Sequence, residues 1–342
     1  MVTRPAALPT VAIFSLGGTI AATNVGAGHN GGVTPHLDGD DLVAAVPQLR
    51  LVAVVQATTF RQVPSGDLNL SDLTELAEAI QQRFDEGADG IVVTQGTDTM
   101  EETAFALDLL VNADRPIVVT GAMRNPTLAG ADGPANLLAA VQVAASSDAA
   151  GLGTLVVAND EIHAARFVRK AHSSSPGAFQ SPGAGPLGWV VEGRVRIVFR
   201  VAKLQGIPSG APDTIPPVAL LTSVLGDDAR LLTTLEHLGY AGLVLEGFGG
   251  GHVPRVVVPV LSDLAARLPV VLASRTGGGE TLRDTYGQAG AERDLLGRGL
   301  ISAGFLNGPK ARILLTLLLA HELDLDGVRG AFERVNASVA SF

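Results

Sequence analysis

The fold of this chain is decided by residues 91–110, which read IVVTQGTDTMEETAFALDLL. The run Ile91 to Thr94 is largely β-branched and apolar, as in a buried strand, while Met100 to Leu110 places apolar residues at helical spacing. Small and polar residues, QGTDT, join the two segments. A strand that leads through a short loop into a helix is the building unit of a parallel α/β sheet.

The same alternation occurs on both sides of this stretch. It predicts a mostly parallel sheet with helices on both of its faces. The further predicted strands are Val11 to Leu16, Leu51 to Gln56, Ile117 to Thr120 and Leu155 to Ala158, and the further predicted helices are Leu70 to Phe84 and Pro134 to Ala145.

A second series of elements follows a segment rich in proline and glycine. Residues 205–217 disfavour both helix and central strand, so they predict a linker between a larger domain at 1–204 and a smaller α/β domain at 218–342. The strands predicted in the smaller domain are Val218 to Thr222, Leu243 to Leu245 and Val270 to Ser274, with helices near Ala229 to Leu238, Val257 to Arg267 and Pro309 to Leu319.

The composition excludes several classes of protein. Apolar residues make up 46% of the chain and charged residues 17%, which argues against disorder. A formal net charge of −10 argues against a general nucleic-acid binder, and the absence of cysteine excludes disulfides and thiol catalysis. The apolar run Ile313 to Ala320 is too short to span a bilayer, and the N-terminus carries no signal-peptide core. We therefore expect a soluble, cytoplasmic protein with no membrane partner.

Two segments at the ends of predicted strands carry threonines beside glycines. After the first strand comes Gly17-Gly18-Thr19, whose glycines allow a sharp turn and a close approach to a ligand. An ordinary turn would explain this segment too, but the residues of a phosphate-binding loop are missing. After the third strand, Thr99 and Glu102 fit a capping box, which leaves Gly96-Thr97-Asp98 unexplained. Ligands of open α/β sheets bind at such strand ends, where a hydroxyl and a carboxylate can relay a proton and bind an ammonium group.

These motifs together resemble the bacterial L-asparaginase family. Both threonine segments, Gly17 to Ala21 and Gly96 to Ala104, stand at the family's spacing. Further matches run in family order along essentially the whole chain, at Thr120 to Arg124, Ala131 to Pro134, Val157 to Asp160 and Gly308 to Arg312. The resemblance implies hydrolysis of L-asparagine to L-aspartate and ammonia.

The resemblance also implies a role for each matching residue. Thr19 corresponds to the nucleophile, and Thr97, Asp98 and Lys170 correspond to the relay that moves its proton. The residues implied in substrate binding are Gly18, Ser65, Thr97, Asp98 and Ala122. The family needs no metal or organic cofactor, and the histidines of this chain form no recognisable ligand cluster.

The chemistry implied is acyl transfer through the Thr19 hydroxyl. The backbone N–H of Thr97 would hold the oxyanion, and the backbone at Ala122 would orient the leaving amide. For Lys170, a solvated surface lysine remains an alternative, because Arg166 and Arg169 lie close to it in the sequence. Asp38, Asp40 and Asp41 are better explained by a helix start than by a calcium site.

The chain departs from the family where many members carry a tyrosine in a glycine-rich lid. The lid corresponds to residues 23–35, which contain no tyrosine, so His29 is one candidate to activate Thr19. Family members assemble as dimers or tetramers in which the second domain of a neighbouring subunit completes the site. Tyr286 stands about where that neighbour supplies a carboxylate, so it could supply the missing phenol, or be an ordinary half-buried tyrosine.

Several other functions compete with this interpretation. Gly66 stands where some members carry a glutamine that contacts the substrate, so a dual glutaminase-asparaginase is an alternative. A sensor that binds asparagine without turnover is a second one. A related amidotransferase subunit that acts on charged tRNA would need an added N-terminal segment and a surface suited to RNA. A nucleotide-binding α/β protein would need a glycine fingerprint that is missing here.

Overall fold

The structure is a computed structural model that describes residues 7–24, 33–35, 38–204, 212 and 214–338. The chain divides into two compact units, Met1–Lys203 and Leu204–Phe342. Of the predicted linker, residues 205–211 and 213 lie outside the described residues, as do residues 25–32 of the predicted lid, including His29.

The first unit contains a large sheet, two small hairpins and four helices among its described residues. Its strands are β1 (Thr10–Ser15), β2 (Ala22–Asn24), β3 (Val33–Pro35), β4 (Val54–Thr59), β5 (Gly90–Thr94), β6 (Ile117–Thr120), β7 (Thr154–Ala158), β8 (Glu161–Ala164), β9 (Arg169–Lys170), β10 (Phe179–Gln180), β11 (Gly188–Val191) and β12 (Arg194–Ile197). Its helices are α1 (Gly39–Ala44), α2 (Leu70–Asp85), α3 (Met100–Leu110) and α4 (Gly133–Ala144).

Eight strands form the large sheet in the order β12-β11-β8-β7-β6-β5-β1-β4. The pairs from β4 to β7 are parallel, and those from β7 to β12 are antiparallel. The mostly parallel sheet predicted from the sequence is confirmed. Because β4, β1, β5 and β6 run in the same direction, the loops that follow them meet at one edge of the sheet.

One apolar cluster of this unit lies between the sheet and helix α4. Alternate strand residues, among them Val11, Val92 and Val118, are buried together with Leu137 and Val141 of α4. Strands buried on both faces are mostly apolar, and every residue of β5 and β6 is buried.

Strand β4 begins later than the sequence predicts. The prediction began at Leu51, but Pro47–Leu51 form a 3-10 helix and the strand starts at Val54. The proline at the start of that turn fixes a φ value suited to a helical start. The apolar residues after it therefore pack against α1 and β4 as part of a 3-10 turn and not as a strand.

The second unit has a four-stranded parallel sheet in the order β13-β14-β15-β16. Its strands are β13 (Val218–Thr222), β14 (Gly242–Gly247), β15 (Val270–Ser274) and β16 (Ile301–Ser302), and its helices are α5 (Val258–Ala265), α6 (Glu292–Gly297), α7 (Gly308–Ala320) and α8 (Leu325–Ala337). A separate, smaller α/β unit is therefore confirmed.

The helix predicted near Ala229 to Leu238 is wrong, because this segment forms turns with a short 3-10 helix at Leu232–Thr234. Ala229 has a positive φ of 66° and donates its N–H to the side chain of Asp227. The hydroxyls of Thr233 and Thr234 donate to backbone carbonyls three residues earlier. Such local side-chain bonds compete with a regular helix.

No helix among the described residues has the length and apolar character needed to cross a membrane. The described acidic and histidine side chains likewise form no cluster of three or more that could bind a metal ion. Asp38 caps α1, and the side chain of Asp41 accepts the N–H of Asp38, so this acidic segment is a helix start as predicted.

Candidate active site

The loop after β1 places Thr19 beside the loop after β5. Gly17 and Gly18 have positive φ values of 97° and 82°, which favour glycine. A side-chain carbon at Gly18 would overlap the backbone of Gly96, and one at Gly17 would lie 2.9 Å from the backbone of Val63. The glycines therefore allow three loops to pack together at the sheet edge. Thr19 then opens a short 3-10 turn, where it is partly buried.

The side chain of Lys170 bonds two residues of the loop after β5. The Nζ atom of Lys170 donates to Thr97 Oγ1 at 2.9 Å and to Asp98 Oδ1 at 2.6 Å. The Lys170 side chain is 15% exposed and that of Asp98 is 79% exposed. The cation is thus held within the protein while its carboxylate partner stays accessible to a ligand. Thr97, which precedes Asp98 in the loop, is buried.

Lys170 reaches this position through two hairpins. Strands β7 and β8 join at Asn159 and Asp160, which have positive φ values of 52° and 61°. This geometry suits a type I′ turn, for which asparagine and aspartate are favoured. The chain then enters β9, where Lys170 pairs with Phe179 of β10 and donates its backbone N–H to Glu101 Oε1 at 3.1 Å.

Ser65 lies in the loop after β4, in the 3-10 helix Ser65–Asp67. It is 4% exposed, and a side-chain carbon at Gly96 would lie 2.8 Å from its Oγ atom. The predicted capping box is wrong, because Thr99 makes no side-chain cap at the start of α3. Its hydroxyl donates instead to the carbonyl of Ser65 at 2.9 Å, which fixes the serine loop to the loop after β5.

Ala122 lies in the loop after β6 and is 1% exposed. The carboxylate of Asp132 accepts the N–H groups of Met123 and Arg124 at 2.9 and 2.8 Å. Asn136 donates to the carbonyl of Gly121 at 2.9 Å and accepts the N–H of Asn159 at 3.0 Å. This side-chain network fixes the loop that contains Ala122.

Sequence reasoning missed two members of that network. Asp132 stood inside a quoted motif without a role, and Asn136 lies on the buried face of α4, where an isolated asparagine breaks an otherwise apolar pattern. A buried amide must satisfy its hydrogen bonds. The single polar residue on an apolar helix face was therefore the signal that could have identified Asn136.

Tyr286 lies in the second unit and is 45% exposed. Its ring contacts that of His252 edge to face, with 5.1 Å between the ring centroids. The carboxylate of Glu292, which is fully buried, accepts the backbone N–H groups of Thr285 and Tyr286 and contacts His252 Nε2 at 2.9 Å. A role for Tyr286 in a neighbouring subunit's site stays a prediction.

Comparisons with known proteins agree with this architecture. The family model "Asparaginase, N-terminal" matches residues 10–202, and "Glutaminase/Asparaginase C-terminal domain" matches residues 217–332. A probable periplasmic L-asparaginase of Haemophilus influenzae is 34% identical over 97% of this chain and 95% of its own length. L-asparaginase 2 of Escherichia coli is 35% identical over 96% of this chain and 94% of its own.

A solved structure is similar as well. The crystal structure of a probable cytoplasmic L-asparaginase from Campylobacter jejuni matches with a TM-score of 0.87 at 35% identity, and the match covers 95% of this chain and 99% of that one. The names of these relatives include both periplasm and cytoplasm, so the cytoplasmic location expected from the sequence stays a prediction.

The fold and the site define an α/β enzyme whose polar groups gather at the carboxyl ends of parallel strands. The family matches cover nearly all of the chain. The chain belongs to the asparaginase family, and it is an amidohydrolase.

Proposed function

We propose that this protein hydrolyses L-asparagine to L-aspartate and ammonia with Thr19 as the nucleophile. The observation that carries the proposal is the pair of hydrogen bonds from Lys170 Nζ to Thr97 Oγ1 and Asp98 Oδ1. A hydroxyl bonded to a lysine that is itself paired with a carboxylate can pass a proton in either direction. The names of the relatives support the substrate.

The reaction proceeds through an acyl-enzyme. Thr19 Oγ1 attacks the side-chain amide carbon and passes its proton to the relay of Thr97, Asp98 and Lys170, while the Thr97 backbone N–H stabilises the oxyanion. The C–N bond breaks as the relay of Thr97, Asp98 and Lys170 delivers a proton to the leaving nitrogen, which departs as ammonia. Water then attacks the ester carbon, so that aspartate leaves and the Thr19 hydroxyl is restored.

The remaining polar groups hold the substrate backbone. Ser65 and the N–H groups near Gly18 and Thr97 bind the α-carboxylate, and Asp98 binds the α-ammonium. Asp98 suits that role because it is 79% exposed while its charge is balanced by Lys170. The backbone at Ala122 orients the amide that leaves.

Dual activity on glutamine is the second candidate function, and one observation favours it. A side-chain carbon at Gly66 would meet no atom within 4 Å, so no protein atom fills the space next to this residue of the serine loop. A substrate longer by one methylene needs such space.

The test is ammonia release from L-asparagine and L-glutamine by the wild type, Thr19→Ala and Lys170→Met. We expect turnover to fall by about 10³-fold or more in Thr19→Ala and by about 10²–10⁴-fold in Lys170→Met. Lys203→Met is the matched control, because Lys203 is 14% exposed and donates two hydrogen bonds outside the strand-end loops. It should keep its activity.

Calorimetric binding of L-asparagine separates the proposal from the alternatives. A wild type that binds asparagine but releases no ammonia would make the protein a sensor. Full turnover in Thr19→Ala would assign the nucleophile to another residue.

A further inference from the structure

The first turn of α3 contacts two different loops of the site. Thr99 Oγ1 donates to the carbonyl of Ser65 at 2.9 Å, and Glu101 Oε1 accepts the backbone N–H of Lys170 at 3.1 Å. Thr99 is the N-cap residue of this helix, and Glu101 is its second residue. Residues at a helix start usually bond their own helix, so these two contacts need a separate explanation.

We infer that Thr99 and Glu101 are positioning residues, Thr99 for substrate binding through Ser65 and Glu101 for proton transfer through Lys170. This inference rests on the proposed function. Neither residue has to touch the substrate for the assignment to hold.

The serine loop depends on Thr99 because little else holds the Ser65 carbonyl. Its other described bond comes from the Leu68 N–H at 3.3 Å, which is long for a strong interaction. The same Thr99 hydroxyl lies 3.4 Å from Nε2 of Gln95, which is fully buried. The hydroxyl thus connects the loop after β5 to the loop after β4, and its loss would release the side chain that receives the substrate carboxylate.

The lysine depends on Glu101 because β9 has only two residues. Its pairing with β10 fixes one edge of the strand, and the Glu101 carboxylate holds the N–H of Lys170 itself. The Nζ atom must reach Thr97 and Asp98 at the same time, at 2.9 and 2.6 Å. A shift of the strand by about 1 Å would break one of these bonds and misplace the relay.

Substitutions at the two positions should therefore change different kinetic constants. Thr99→Val removes the hydroxyl at nearly constant volume, and we expect KM for L-asparagine to rise about tenfold with kcat within about twofold of wild type. The dissociation constant of L-aspartate, measured by calorimetry, should rise by about the same factor. Thr99→Ser keeps the hydroxyl and should restore both values. Thr99→Ala repeats the test if valine is not accommodated.

Glu101→Leu removes the acceptor of the Lys170 backbone N–H. We expect kcat to fall about tenfold with KM nearly unchanged, together with a shifted pH profile of kcat. Glu101→Gln keeps an acceptor oxygen for the Lys170 N–H and should retain most of kcat. A role limited to the helix dipole would depend on charge, so Gln and Leu would then behave alike.

Thr74→Val is the matched control for stability. Thr74 also donates its hydroxyl to a backbone carbonyl, that of Ser71 at 2.8 Å, but does so within α2. If Thr99→Val changes KM no more than Thr74→Val, or if Glu101→Leu leaves kcat and its pH profile unchanged, the corresponding assignment is wrong.

Failure of the proposed function gives a different result. Either the wild type then releases no ammonia, or Thr19→Ala and Lys170→Met retain ammonia release, whatever the variants at Thr99 and Glu101 do. If Thr19→Ala and Lys170→Met lose ammonia release while the variants at Thr99 and Glu101 behave like their controls, only the positioning inference fails.

Discussion

Acid should destabilise the first unit through His163, which lies on β8 inside the large sheet. The ring is 1% exposed, and its Nδ1 lies 3.0 Å from Ser181 Oγ. Glu161 Oε2 lies 3.3 Å from Nε2, but Nε2 has no hydrogen-bond partner of suitable geometry among the described residues. Burial therefore dominates and lowers the pKa of His163 from 6.5 to about 4.

The sign of the effect follows from proton binding. Above pH 6.5 the histidine is neutral in both states and contributes nothing to pH dependence. Between pH 6.5 and about 4 the unfolded chain binds a proton that the folded protein does not, so the free energy of unfolding falls as the pH is lowered. A difference of about 2.5 pK units corresponds to a loss of about 3 kcal/mol, complete below about pH 4.

Trp189 provides the assay, since it is the single tryptophan of the chain and pairs with Glu161 across β11 and β8. We would follow its fluorescence during urea unfolding at pH values from 7 to 4. His163→Asn keeps a polar atom near the Nδ1 position but fills less of the site, so it should lower stability at pH 7. It should lose about 3 kcal/mol less than wild type over this range.

His237→Asn, which removes an exposed histidine, is the control and should follow the wild type. Parallel loss of stability in the wild type and His163→Asn would refute the reasoning. It would mean that the ring takes up its proton in the folded protein at an ordinary pKa.

Four further substitutions test backbone packing, substrate preference and a buried ion pair. Gly18→Ala should abolish ammonia release, because the added side chain overlaps the neighbouring loop. It should lower the free energy of unfolding by more than a positive φ alone, which costs about 1–2 kcal/mol. Gly87→Ala has a φ of +101° with no atom within 4 Å, so urea unfolding should show only that smaller cost. Gly66→Gln should leave stability unchanged and alter the ratio of asparagine to glutamine turnover. Arg166→Leu leaves the buried carboxylate of Asp108, 3.8 Å from Arg166 Nη2, without this partner and should cost about 3–5 kcal/mol in the same unfolding assay.

The sequence alone determined the order of the strands and helices that build the site. Periodicity predicted α3 at Met100–Leu110 and β15 at Val270–Ser274 with the bounds that the structure has. The positions of Thr19 and Thr97 at the ends of strands also followed from local pattern, because parallel strands bring their carboxyl ends to one edge. Ser65 was identified by the resemblance to the asparaginase family. The domain boundaries at 204 and 218, the subunit count and the catalytic roles stay predictions.

Tertiary structure decided which partner each polar group takes. Thr99 fits a capping box, yet its hydroxyl bonds Ser65, 34 residues away. Local sequence alone leaves Lys170 open to being a surface lysine among arginines, and folding brings it 72 residues back to Asp98. Local sequence restricts only the backbone conformation of a segment, whereas a hydroxyl, a carboxylate or an ammonium group bonds whichever partner the packed chain places within about 3 Å.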